Sequence, residues 1–143
     1  FLNVEQTALR AVDASGGELS RVMLALKTIF AQGEGVTSII FDEVDTGVSG
    51  RVAQAIADKI RLIAEGSQVL CITHLPQVAA VAQHHLLIQK RVHDQRTTTS
   101  VTPLNTNQRV EELARMLAGD TITKLAREHA SELLTMAKQK AQD

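Results

Sequence analysis

Three short stretches of this 143-residue chain carry side chains able to do chemistry together. Asp42 and Glu43 follow directly on the apolar run Ser38-Ile39-Ile40-Phe41. Open α/β sheets take ligands at the carboxyl ends of their strands, and paired acids there suit metal and water chemistry. One carboxylate can hold Mg2+, directly or through water, while its neighbour positions and polarises an attacking water. His74 closes a second apolar run, "QVLCITH". If the two strands are neighbours, His74 and Glu43 share one rim, where an imidazole can hydrogen-bond a phosphoryl oxygen or the attacking water. The third stretch is Ser15-Gly16-Gly17-Glu18, a glycine turn that opens into a long apolar-periodic run. Its backbone amides, with a helix N-terminus behind them and the Ser15 hydroxyl beside them, make an anion site by geometry.

Each stretch has a plainer reading in isolation: solvated charge after a strand, a polar residue before a proline, an ordinary helix cap. His84, His85 and His93 lack the companions that would make a zinc site with His74. The case for chemistry therefore depends on the elements that bring the three stretches together.

The apolar residues Leu19, Val22, Met23, Leu24, Leu26, Ile29 and Phe30 recur at helical spacing, with Ser15 as a plausible N-cap and Glu18 three positions on. Gly33 and Gly35 end that helix. "VTSIIFDE" then reads as a short buried strand whose continuous apolar character favours a parallel, central position. After the loop "VDTGVSG", the pattern predicts an amphipathic helix over 51–64, carrying Val52, Ala55, Ile56, Ile60 and Ile63. Gly66 closes it before a second buried strand that includes Cys71. Pro76 suits the first turn of a short helix over 77–82. "HLLIQKRV" and "TTTSVTPL" predict an antiparallel pair, and residues 108–117 and 122–140 two helices parted by Gly119-Asp120. Arg109, Glu112, Arg115 and Lys124 read as a solvated face of those helices. Residues 1–13 allow a strand leading into a loop. The order implies one α/β domain over 1–143: a mostly parallel sheet, flanking helices and a hairpin on the C-terminal side.

Composition narrows the classes. Apolar residues make up 44% of the chain, with no Trp or Tyr and three Phe, so the core must be aliphatic. Fifteen basic residues against sixteen acidic ones give a net charge of -1, which offers no electrostatic case for this segment alone coating a nucleic-acid backbone. A single cysteine excludes a disulfide framework and fits a reducing compartment. No eighteen-residue apolar run or signal-like segment occurs, so a cytoplasmic location without membrane association is expected. The chain begins with Phe1, as a fragment or processed product does.

Taken in order, the three stretches resemble the motifs of ATP-binding-cassette ATPases. Ser15-Gly16-Gly17-Glu18 is similar to their signature motif, Ile39 to Glu43 to the Walker B strand, and His74 to the switch histidine. The finer resemblance is to the RecN family of bacterial DNA-repair proteins, relatives of the SMC chromosome proteins. "ASGGELSRVMLALK", "FDEVDTGVSG", "ITHLPQVAA" and "RVEELARMLAG" all look like that family. The resemblance implies the C-terminal lobe of an ATPase head. Ser15 and the amides of Gly16 and Gly17, together with Glu18, would then meet the γ-phosphate of an ATP held mainly by a partner head. Asp42 would support Mg2+, Glu43 would be the catalytic base, and His74 the γ-phosphate sensor. Thr46-Gly47-Val48-Ser49 would fill the loop through which heads communicate, with Ser49 where most cassette ATPases carry aspartate.

The sequence contains no G-x-x-x-x-G-K-[ST] run, the loop that cradles nucleotide phosphates. The resemblance places that motif in an N-terminal lobe across a long coiled coil, so the isolated chain is expected not to hydrolyse ATP. Its implied partners are that N-terminal lobe, a second head and, through the whole protein, DNA; its implied location is the nucleoid. Two functions follow: an ATP-driven repair machine acting at double-strand breaks, or a nucleotide-gated structural module that dimerises and barely hydrolyses.

Overall fold

The computed structural model describes Ala25 and residues 38–42, 45, 47–93 and 96–141. The chain divides into two compact units, with the boundary between Thr73 and His74. The sequence-predicted strand at the start and the helix after Ser15 lie outside the described residues, apart from helical Ala25.

In the first unit, β1 (Ser38–Asp42) pairs in parallel with β2 (Gln68–Ile72), in a register from Ser38 opposite Gln68 to Asp42 opposite Ile72. The connection between them is α1 (Gly50–Ala64). Its buried residues Ala53, Ile56, Ala57, Ile60 and Ile63 fall three and four apart on one stripe. Val52 and Ala55, expected on that stripe, are exposed, because each is turned about 100° from its buried neighbour. Ile39 and Phe41 are buried, while Ile40 is 60% exposed. On β2 likewise, Leu70 and Ile72 are exposed and Cys71 is half-buried. The strands are parallel as their apolar runs predict, but they are not buried on both faces: no described element covers the side that carries Ile40, Leu70 and Ile72.

The second unit begins with α2 (Pro76–Val81). Pro76 stands at its first turn, where a fixed φ and a missing N–H cost nothing. Leu75 before it is extended, as the residue preceding a proline must be. β3 (Leu86–His93) and β4 (Arg96–Pro103) form the antiparallel hairpin, with Leu86 opposite Pro103. Every residue of β4 is exposed.

α3 (Thr106–Ala118) starts earlier than its apolar pattern suggests because Asn105 and Gln108 form a reciprocal capping box, at 3.0 and 2.9 Å. It stops at Gly119, whose φ of 72° places it in the region that favours glycine. α4 (Lys124–Lys140) is capped by Thr123, whose hydroxyl accepts from the Ala126 amide at 3.1 Å. Ala79 and Ala80 of α2, Leu113 and Ala114 of α3, and Ala126, Ala130 and Leu134 of α4 make one buried cluster. Alanine at five of these seven positions lets the three helix backbones approach closely.

Candidate nucleotide site

The strand ends position the site. Because β1 and β2 run in parallel and finish opposite each other, at Asp42 and Ile72, their exits leave on one rim. Asp42 is the last residue of β1 and is exposed. It shares a face with Ser38 and Ile40, the face away from buried Ile39 and Phe41.

The loop after β1 is held from within. Asp45 is 1% exposed and accepts a hydrogen bond from the Thr73 hydroxyl, just beyond β2. Its backbone carbonyl also accepts from the Val48 amide at 3.2 Å, closing a turn. Gly47, in that turn, has a φ of 70° and Gly50, just beyond it, a φ of 56°, values that β-carbon-bearing residues adopt rarely. One tie therefore joins the exits of both strands.

That microenvironment acts on Cys71. Burial pushes its thiol up to about 11, and the negative charges of Asp45 and then Asp42 add to the effect. The thiol is thus kept protonated at neutral pH, the opposite of an activated nucleophile.

Of the other sequence-predicted site residues, Gly47 and Ser49 are exposed, and Val48 is buried, so its side chain anchors the loop. Ser49 is the N-cap of α1 with extended backbone and makes no side-chain cap bond. His74 is exposed and is the first residue of the second unit, leading through Leu75 into α2. Ser15, Gly16, Gly17, Glu18, Glu43 and Thr46 lie outside the described residues. Among the described residues, no group of three or more His, Cys, Asp or Glu side chains forms a metal cluster, and no helix is long and apolar enough to cross a membrane.

Two features escaped the sequence reading. Asp45 and Thr73 looked like loop and strand-end residues, although a third acid three positions after Asp42, ahead of a glycine turn, was a signal for a loop tie. Arg109, read as part of a solvated face, is half-buried. Its guanidinium donates to the carbonyls of Ala82 at 2.7 Å, Ala80 at 3.2 Å, Ala79 at 3.4 Å and Gln83 at 3.5 Å. Glu112 of the same reading is half-buried too, paired through both carboxylate oxygens with Arg115 at 2.5 and 2.9 Å.

Parallel strands joined through a helix, an antiparallel hairpin and flanking helices make an α/β architecture like that of a cassette or SMC-type ATPase lobe. A solved structure from work on ATP-driven dimerization and DNA-stimulated activation of SMC ATPases matches this fold with a TM-score of 0.58 at 21% identity, covering 76% of this chain and 65% of that one. No protein-family model matches the chain. Among individual proteins, it is 66% identical over 124 residues to the DNA repair protein RecN of Halalkalibacterium halodurans, covering 87% of this chain. It is 65% identical over 126 residues, 88% of its length, to the RecN of Bacillus subtilis, and 48% identical over 121 residues, or 85%, to that of Treponema pallidum. The chain belongs to the RecN family. It spans 22% of the length of the first two of these relatives and 21% of the third.

Proposed function

We propose that this chain is the C-terminal ATPase lobe of a RecN-like repair protein, in which ATP hydrolysis drives head association and DNA engagement during double-strand-break repair. The observation that carries the reading is the pinned strand exit: β1 delivers exposed Asp42, and the Thr73–Asp45 bond ties the exits of β1 and β2. The RecN relatives support it by name as DNA repair proteins.

The donor chemistry fits Mg2+, a hard cation that takes one or two carboxylates and completes its shell with water and phosphate oxygens. Asp42 offers such an oxygen at the rim. An ion held there would supply positive charge against that of the phosphates. Glu43 takes the proton of the attacking water. His74 donates a hydrogen bond towards the phosphoryl group. Ser15 and the amides of Gly16 and Gly17 address the γ-phosphate of a nucleotide on the opposing head, with Glu18 in the first turn behind them. The loop Thr46 to Ser49 relays between heads, with Val48 as its buried root. The phosphate-cradling loop comes from an N-terminal lobe, so turnover needs both lobes and a second head.

Glu43→Gln in the full-length protein tests this. Turnover should fall by about two to four orders of magnitude, the usual contribution of a general base, while ATP holds the heads together longer than in the parent. Unchanged turnover with an unchanged head-separation rate contradicts the catalytic assignment and favours a nucleotide-gated structural module.

A further inference from the structure

The helix that follows His74 is held by an unusual contact. α2 has only six residues, too few to satisfy most of its own carbonyls. It ends at Val81 without glycine or proline: Ala82 turns to extended backbone, with ψ at 140°. α2 buries Pro76, Val78, Ala79 and Ala80, and of these only the two alanines join the cluster with Leu113, Ala114 and the alanines of α4, so that cluster alone gives the helix little hold. Arg109 supplies what is missing. Its planar guanidinium spans the carbonyls of residues 79, 80, 82 and 83 from α3, acting as a C-terminal cap delivered from another element.

The surrounding charges explain why Arg109 serves carbonyls. The nearby carboxylate of Glu112 is occupied by the fork of Arg115. His85, on the stretch after α2, is pushed towards its neutral form chiefly by burial and then by the charge of Arg109, with Glu112 opposing. A half-buried cation facing a helix's negative end is compensated only while the helix end stays in place. Arg109 and α2 therefore hold each other in one position.

We propose that Arg109 is a positioning residue for His74: by clamping the far end of the six-residue helix into which His74 leads, it fixes where that histidine is presented. Pro76 makes the near end stiff, so α2 transmits the constraint as a short rod. The inference rests on the reading of His74 as a group that contacts the phosphoryl transfer, and it adds a residue from α3 to the machinery.

A double-mutant cycle on ATP turnover by the full-length protein tests it, using Arg109→Ala, Arg109→Lys, His74→Ala and the combinations. Arg109→Ala should lower kcat by about tenfold or more, as small misplacements of reacting groups do, with nucleotide affinity held within about twofold, as expected for a group that acts on turnover and leaves binding alone. Arg109→Lys should also lose turnover, because an ammonium cannot span four carbonyls in a plane. In a His74→Ala background, neither Arg109 substitution should cause further loss. Losses that add to those of His74→Ala overturn the inference, as does full turnover in the Arg109 variants beside an impaired His74→Ala. Failure of both Arg109 variants to fold would also overturn it, marking the residue as structural. Full turnover in His74→Ala would instead remove the reading of His74 on which the inference stands.

Discussion

The two units each withdraw one charged side chain from water, and they do so by different means. In the first, Asp45 is almost fully buried and is met by the hydroxyl of Thr73, a short tie between two strand exits. In the second, Arg109 is half-buried and spans the carbonyls at the end of α2, reaching across 26 to 30 residues of sequence. The first device fixes a loop whose glycines allow it to turn tightly; the second fixes a rod too short to stand alone. The apolar support differs as well. β1 and β2 leave one face bare among the described residues, whereas α2, α3 and α4 close around a common cluster. A loop between strands can be placed by one polar contact, but a short helix needs both packing and a cap.

Removing the packing gives the largest effects. Phe41→Ala should cost about 3–5 kcal/mol and Leu113→Ala about 2–5 kcal/mol, because both side chains are fully buried. Urea denaturation of each variant measures this, and losses under about 1 kcal/mol would show that the unit concerned does not depend on that core.

The microenvironment of the first unit predicts a slow thiol. With Cys71 raised from 9.0 to about 11, its thiolate at pH 8 is about a hundred times scarcer than that of an ordinary cysteine. Greater nucleophilicity of the more basic thiolate offsets part of this, leaving alkylation about tenfold slower than for a cysteine peptide. Asp45→Asn should speed the reaction by removing one of the two opposing charges. Peptide-like rates in the parent protein would mean that Cys71 is neither shielded nor near those carboxylates.

Thr73→Val sharpens the comparison further. It strips a buried carboxylate of a hydroxyl donor and should cost about 1–3 kcal/mol. Asn105→Ala should cost about 1 kcal/mol through the lost capping box. Arg127→Ala, which breaks an exposed pair with Glu111, should fall within about 0.5 kcal/mol. Equal effects from all three would erase the distinction between buried ties and surface pairs.

Much of this was legible in the chain. The parallel strands, the connecting helix, the hairpin and the final helices all follow from apolar spacing, and Asp42, Glu43 and His74 stand out because they terminate apolar runs. The exposed faces of β1 and β2 were not legible, since a continuous apolar run does not say whether the second face is covered within the same segment. Asp45 and Arg109 were missed for a common reason. A charged residue in sequence is expected at the surface, and only tertiary structure shows a hydroxyl or a ring of carbonyls waiting for it. The start of α3 was misplaced because Asn105 and Gln108 extend the helix through capping, ahead of its apolar periodicity.

The most direct test of the account is ATP hydrolysis on mixing this chain with separately produced N-terminal lobe, with and without Glu43→Gln. The account predicts no turnover from either piece alone, turnover on mixing, and loss of that turnover with the substitution. Robust hydrolysis by this chain alone, or mixed activity that survives Glu43→Gln, would contradict it.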